Sequence, residues 1–365
     1  MSSERLENVG KWLDRVIERG EAAGFVTLVA RRGKVVHFEA HGNIGMKVKK
    51  PMPKDALFDL ASMTKPVTVV AALMLLEEGR FLLTDPISKY LPEFEDQVVR
   101  LSERQLVPPD SEVTVHNLFT HTSGIGANWS RAEGYEFSTL EEYIEALAEI
   151  PLSHQPGSTW FYGYSHDVLG YLVQTVTGQP LAEFIQQRIL DPLGMEDTHY
   201  WPPSSKDDRR AVLVVEGRDD LDSTSRRPLK AAEEATLMRG ASGLYSTAAD
   251  YWRFCQMLLN GGELDGERLL GPRTVARISQ EHIPAELFDR SGMTFGLGHA
   301  VTVDPAEQGF YYSEGSYYWG GSQGTVFWVD PKEQLTGVLM VQRSRMDPIN
   351  QRQVFAEIVY AAIVD

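Results

Sequence analysis

The chain has 365 residues, with 35 Lys+Arg against 51 Asp+Glu, a formal net charge of −16, and 42% hydrophobic and 24% charged residues. This is ordinary globular composition, which argues against collagen, disordered tails and membrane bundles, and the length allows about two folding units at roughly 150 residues each. The acidic surplus repels a phosphate backbone, so nucleic acid is not an expected partner, and Arg209-Arg210 and Arg226-Arg227 are only isolated basic pairs.

Residues 1–7 are polar and lack the apolar stretch of a secretory signal, and the longest apolar run, Val69 to Leu76, is far short of the roughly 20 residues that cross a bilayer. A cytoplasmic protein with no membrane partner is expected, and the sequon Asn128-Trp129-Ser130 then reads as a chance tripeptide. Leu6, Val9, Trp12, Leu13 and Val16 recur at helical spacing over residues 4–20, with Gly20 as the stop. Two β-rich runs follow, 25–30 and 35–41, joined by Arg31-Arg32-Gly33-Lys34, a hairpin signal.

The middle of the chain predicts helices over 62–79, 140–150, 166–177, 181–189 and 247–259, the last opened by a capping box, Thr247-x-x-Asp250. Between Pro202 and Ala232 the chain is polar and crowded with Asp, Ser and Arg, which reads as a surface excursion. The single cysteine, Cys255, lies in the helical run Trp252 to Leu259 and reads as a buried structural thiol; alone it excludes an intrachain disulfide and a Cys-rich metal site. Strands return at 325–329 and 335–342, and a closing helix is predicted from about 349 to 364.

Strands at both ends with helical material between them imply an α/β (α+β) fold, an antiparallel sheet flanked by the terminal helices with an inserted, mainly helical region. Residues 1–60 together with 295–365 would form the sheet domain and 61–294 the helical one, with the active site between them.

Phosphate-loop, His-Glu-x-x-His, Rossmann and calcium-loop signatures are missing, so neither a metal nor an organic cofactor is expected. His121, in Leu118-Phe119-Thr120-His121-Thr122-Ser123-Gly124, reads as a loop-stabilising side chain. Two serine motifs compete. Gly320-Gly321-Ser322-Gln323-Gly324 matches the Gly-x-Ser-x-Gly elbow, which needs a strand before it, a helix after it and a later histidine. A strand follows Ser322 instead, and no histidine occurs after His299.

The second motif, Ser62-Met63-Thr64-Lys65, opens the helix at 62–79. One turn separates the pair, so Ser62 and Lys65 share a face with Cβ atoms about 5–6 Å apart. A lysine so placed can act as base for a serine hydroxyl once burial or a neighbouring charge keeps it neutral. The helix N-terminus also aims free N–H groups at the site, which suits an oxyanion. The segment that follows, Pro66 to Leu73, is too apolar for a solvated helix, which puts Lys65 in a partly buried position.

With these residues the chain resembles the serine β-lactamase and penicillin-binding-protein superfamily, in its class C-like branch, closest to the family VIII carboxylesterases. The resemblance runs over nearly the whole length, through Ala61 to Pro66, Leu118 to Gly124, Pro156 to Tyr162, Asp167-Val168-Leu169-Gly170, Asp191 to Met195, Gly243 to Asp250 and Trp319-Gly320-Gly321. It implies a β-lactamase/transpeptidase-like fold and a tyrosine that carries the proton between serine and leaving group. In the family this tyrosine lies six residues after a Pro-Gly proline and, in the esterase branch, eight before the glycine of Asp-Val-Leu-Gly; Pro156 plus six and Gly170 minus eight both give Tyr162. Tyr164 then stands where the family usually has Asn.

Trp319-Gly320-Gly321 is similar to the family's Lys-Thr-Gly strand motif. A tryptophan in place of the lysine offers an apolar face and one N–H donor, which implies uncharged esters rather than anionic amides. The glycines Gly320 and Gly321 would let substrate approach closely, and the N–H groups of Ser62 and Ser322 would form the oxyanion hole. Trp160, Phe161, Tyr311, Tyr312, Tyr317, Tyr318 and Trp319 would line an acyl or aryl site, with core packing the alternative, above all for Trp160 and Phe161.

The resemblance therefore implies ester hydrolysis by Ser62, with Lys65 and Tyr162 as base and proton relay and a small-molecule ester as partner. A β-lactamase or DD-peptidase, an acyltransferase and a non-catalytic binding protein are the rivals, and no oligomer is indicated.

Overall fold

The computed structural model describes residues 1–126, 137–214, 237–343 and 351–365. The sequon, Arg226-Arg227 and most of the polar excursion lie outside the described residues. The amphipathic N-terminal segment forms α1 (Ser3–Glu18), capped by the Ser2 side chain, which accepts from Arg5 N–H. The hairpin follows as β1 (Gly24–Arg31) and β2 (Lys34–Gly42), with Arg32 and Gly33 both at positive φ in the turn, as a tight hairpin of this twist requires.

Next come the helices α2 (Thr64–Glu77), α3 (Val115–Thr120), α4 (Leu140–Ala148), α5 (Ser165–Thr177), α6 (Leu181–Ile185) and α7 (Ala248–Leu259). After α7 the chain forms β3 (Met293–Phe295), β4 (Ala300–Thr302), β5 (Tyr317–Gly320), β6 (Val326–Asp330) and β7 (Leu335–Met340), and then α8 (Gln351–Ala361). The seven strands form one antiparallel sheet in the order β2-β1-β7-β6-β5-β4-β3, so β7, from the far end of the chain, pairs directly with β1.

Strand alternation divides the core in two. Phe25 and Val29 of β1, Trp328 of β6 and Leu339 of β7 face α1 and α8, while Val26, Leu28, Phe327 and Val338 face the helical region. Trp328 lies opposite Gly337, where a Cβ would sit 2.1 Å from the indole, so the glycine makes room for the ring. Helix α2 is buried from Thr64 through Leu75, apolar on every side, and forms the centre of the larger core.

Two local expectations change. The run predicted over 181–189 is α6 followed by a π-helical turn, Gln186–Leu190. Thr247 caps α7 by accepting from Asp250 N–H at 3.1 Å, but the Asp250 carboxylate does not reach back to close a box; it accepts from Asp197 N–H and Thr198 Oγ1 instead. Cys255 is buried. Among the described residues no helix is long and apolar enough to cross a membrane.

Candidate active site

A short 3-10 turn, Ala61–Met63, delivers Ser62 to the head of α2, against β5. Ala61 holds φ +44°, a left-handed conformation that non-glycine residues avoid. Lys65 is only 4% exposed, and its Nζ donates to Ser62 Oγ at 3.3 Å and to the Ala241 carbonyl at 3.0 Å. The same nitrogen lies 4.7 Å from the centroid of the Tyr162 ring. Trp319, on β5, donates from Nε1 to Tyr162 Oη at 3.3 Å. The structure thus brings Ser62, Lys65, Tyr162 and Trp319 together.

Tyr164 is placed elsewhere: its ring packs on Tyr143, lies beneath the Arg239 guanidinium and fills the space against Gly126. Tyr162 is held by the loop that carries it, because Phe161 N–H donates to the His121 carbonyl and Gly157 N–H to the Thr122 carbonyl, both at 2.8 Å. His121 ends α3 at φ +56°, and its buried ring packs on Tyr162 and stacks on His166 at 4.2 Å. Burial, His166 and Lys65 hold His121 well below the usual imidazole range, and burial with Lys65 pushes His166 down to about 3. Both rings are neutral near pH 7, so they add no positive charge beside Lys65.

Ser322 is exposed in the turn between β5 and β6. A strand, not a helix, follows it, so the elbow geometry is not formed. A Cβ on Gly321 would lie 2.3 Å from the Leu60 carbonyl, and one on Gly320 would meet the Arg352 guanidinium at 2.7 Å. The two glycines therefore make room for the chain's own Ser62 turn and an arginine.

The aromatic wall also differs from expectation. Trp160 packs on Tyr162, Phe288 and Phe295, and Phe295 packs on Trp319, so Phe288 and Phe295 extend the wall. Tyr312 and Tyr318 stack on the opposite side of the sheet with Trp328, and Tyr317 is buried against His299, so these three are core. Tyr311 is exposed beside them, next to Phe310 in a shallow surface depression. Sequence reasoning also missed Arg352, whose Nη2 donates to the Gly321 carbonyl; nothing in its helical context marks it as facing the site. Among the described residues no group of three or more His, Cys, Asp or Glu is arranged to hold a metal ion.

Comparison with known proteins agrees with this architecture. The family model described as "Beta-lactamase" matches residues 11–359. Esterase EstB of Burkholderia gladioli is 32% identical over 360 residues, covering 90% of this chain and 88% of its own. The lovastatin esterase of Penicillium rubens is 31% identical over 335 residues, covering 80% of this chain and 81% of its own. Among solved structures, EstCE1, a hydrolase with promiscuous acyltransferase activity, superposes with a TM-score of 0.85 at 24% identity over 98% of this chain and 99% of its own. With the family model spanning nearly its whole length, the chain belongs to the beta-lactamase family and is an enzyme of the serine hydrolase superfamily.

Proposed function

We propose that this enzyme is a carboxylesterase that cleaves small, uncharged short-chain or aryl esters through an acyl-enzyme on Ser62. The observation that carries the reading is Lys65 Nζ, buried and 3.3 Å from Ser62 Oγ, with the Tyr162 ring on its other side. Ser62 Oγ attacks the ester carbonyl while Lys65 and Tyr162 take up its proton. Tyr162 Oη passes a proton to the leaving alkoxide as the C–O bond breaks. Water then attacks the acyl group with the same pair as base, which returns the proton to Ser62. The oxyanion formed at each step is received by the N–H groups of Ser62 and Ser322.

Two further observations support an ester over an anionic amide. Trp319 stands where the resembling enzymes carry a carboxylate-binding lysine, and its N–H is committed to Tyr162. Two relatives above 30% identity are named as esterases. One observation favours a second reading, β-lactam hydrolysis as a side activity: Arg352 brings a guanidinium to Gly321, behind the strand that would receive the substrate.

The test is hydrolysis of p-nitrophenyl butyrate and nitrocefin, side by side, by wild type and Ser62→Ala. Ester turnover should exceed nitrocefin turnover and fall by several orders of magnitude in the variant. Faster nitrocefin hydrolysis would select the second reading. Full ester activity in Ser62→Ala, with loss in Ser322→Ala, would overturn both.

A further inference from the structure

The two amides assigned above to the oxyanion come from segments far apart in sequence, the turn at Ser62 and the β5–β6 turn at Ser322. One carboxylate joins them. Asp59 Oδ1 accepts from Ala61 N–H at 2.8 Å, and Asp59 Oδ2 accepts from Gln323 Nε2 at 2.8 Å. Ala61 immediately precedes Ser62 and Gln323 immediately follows Ser322. Each carboxylate oxygen therefore holds the neighbour of one amide.

The joint is fixed on both sides. Asp59 is anchored through its own carbonyl, which accepts from Gln342 Nε2 at 2.9 Å, and the Gln323 carbonyl accepts from Arg343 N–H at 2.8 Å. The φ of +44° at Ala61 is strained for a residue with a Cβ, and such a conformation persists only where surrounding contacts over-determine it. The Asp59 hydrogen bond to Ala61 N–H is one such contact, and the approach of Leu60 to Gly321 is another.

We propose that Asp59, through Gln323, is a positioning residue that sets the separation and aim of the Ser62 and Ser322 amides. This inference rests on the esterase reading given above. Asp59 touches neither substrate nor reacting atoms in this scheme; it acts through the two turns. Misplacing a catalytic group by about 1 Å can cost about 10²-fold in rate, so loosening this tie lowers turnover without removing a donor.

The test compares wild type, Asp59→Ala, Gln323→Ala, the double variant and Ser62→Ala, all as full-length chains with melting temperatures recorded. The readouts are kcat and KM for p-nitrophenyl butyrate and the Kd of phenylboronic acid, which forms a tetrahedral adduct on a serine nucleophile. Each single variant should lose about 10- to 100-fold in kcat with KM within about threefold, and phenylboronate affinity should fall in the same proportion. The double variant should be no worse than the poorer single one, because both break the same tie. Gln323 lies in a turn, so its variant keeps the test open should Asp59→Ala fold poorly. Folded variants with wild-type kcat and phenylboronate affinity, or losses confined to KM, overturn the inference while a dead Ser62→Ala leaves the esterase reading standing. Full activity in Ser62→Ala instead overturns the esterase reading, and the inference with it.

Discussion

Tyr162 and Tyr164 differ by two positions and yet face different surroundings. The Tyr162 hydroxyl accepts from Trp319 beside Lys65, whereas the Tyr164 ring packs among Tyr143, Arg239 and Gly126. Removing the hydroxyl of a proton carrier costs about 10²–10⁴-fold, so Tyr162→Phe should lower kcat by that amount and Tyr164→Phe by far less. Steady-state kinetics on one ester checks both, and an equal or larger loss in Tyr164→Phe would contradict the assignment. This choice was legible in the sequence because two motif anchors count to the same residue. Arg352 and Asp59 were not legible. Their roles depend on contacts with Gly321 and Gln323 in the β5–β6 turn, far away in sequence, which no local spacing encodes.

At the scale of elements, the 239–241 segment is threaded between α2 and α5. Gly240 lies so close to α5 that a Cβ would sit 2.1 Å from the His166 carbonyl, and Thr68 Oγ1 donates to the Gly240 carbonyl at 2.7 Å. Asp167, fully buried, accepts the Arg239 fork at 2.7 and 3.2 Å and the Ala241 N–H at 3.0 Å. Because the Ala241 carbonyl holds Lys65, this ion pair supports the base from behind. Breaking one side of a buried pair typically costs about 3–5 kcal/mol. Asp167→Asn should therefore lower the urea midpoint markedly, and an unchanged midpoint would show that the pair adds nothing. The long helices were legible from periodicity and caps. Strands β3 and β4 were not, since three residues carry too little alternation to register, and neither was the π-helical turn after α6, where the apolar spacing continues while the hydrogen-bond pattern changes.

Across the whole molecule, one sheet assembled from both chain ends presses its inner face on α7 and holds the candidate site beside β5. Three fully buried histidines, His121, His166 and His299, lie in that same interior, and burial lowers all three, His166 to about 3 and His299 to about 4. Between the ordinary imidazole pKa of 6.5 and these values the unfolded chain binds more protons than the folded one. Stability is therefore complete above about pH 6.5 and falls as the pH drops toward 4, by roughly 1 kcal/mol per pH unit for each such histidine. His41 opposes this, since Glu39 and Asp14 outweigh its burial and raise its pKa, but it is one group, and burial also lowers His37, His116, His199 and His282. Urea midpoints at pH 7.5 and 5.5 should show the drop, and His299→Gln should reduce it; a flat profile would contradict neutral burial. The central claim is that Ser62 becomes acylated, and the most direct measurement is peptide mass mapping after acid quench with a slowly hydrolysed aryl ester. The acyl mass should appear on the peptide carrying Ser62, be absent in Ser62→Ala and be retained in Ser322→Ala. An acyl mass on the Ser322 peptide, or none on either under turnover, would contradict it.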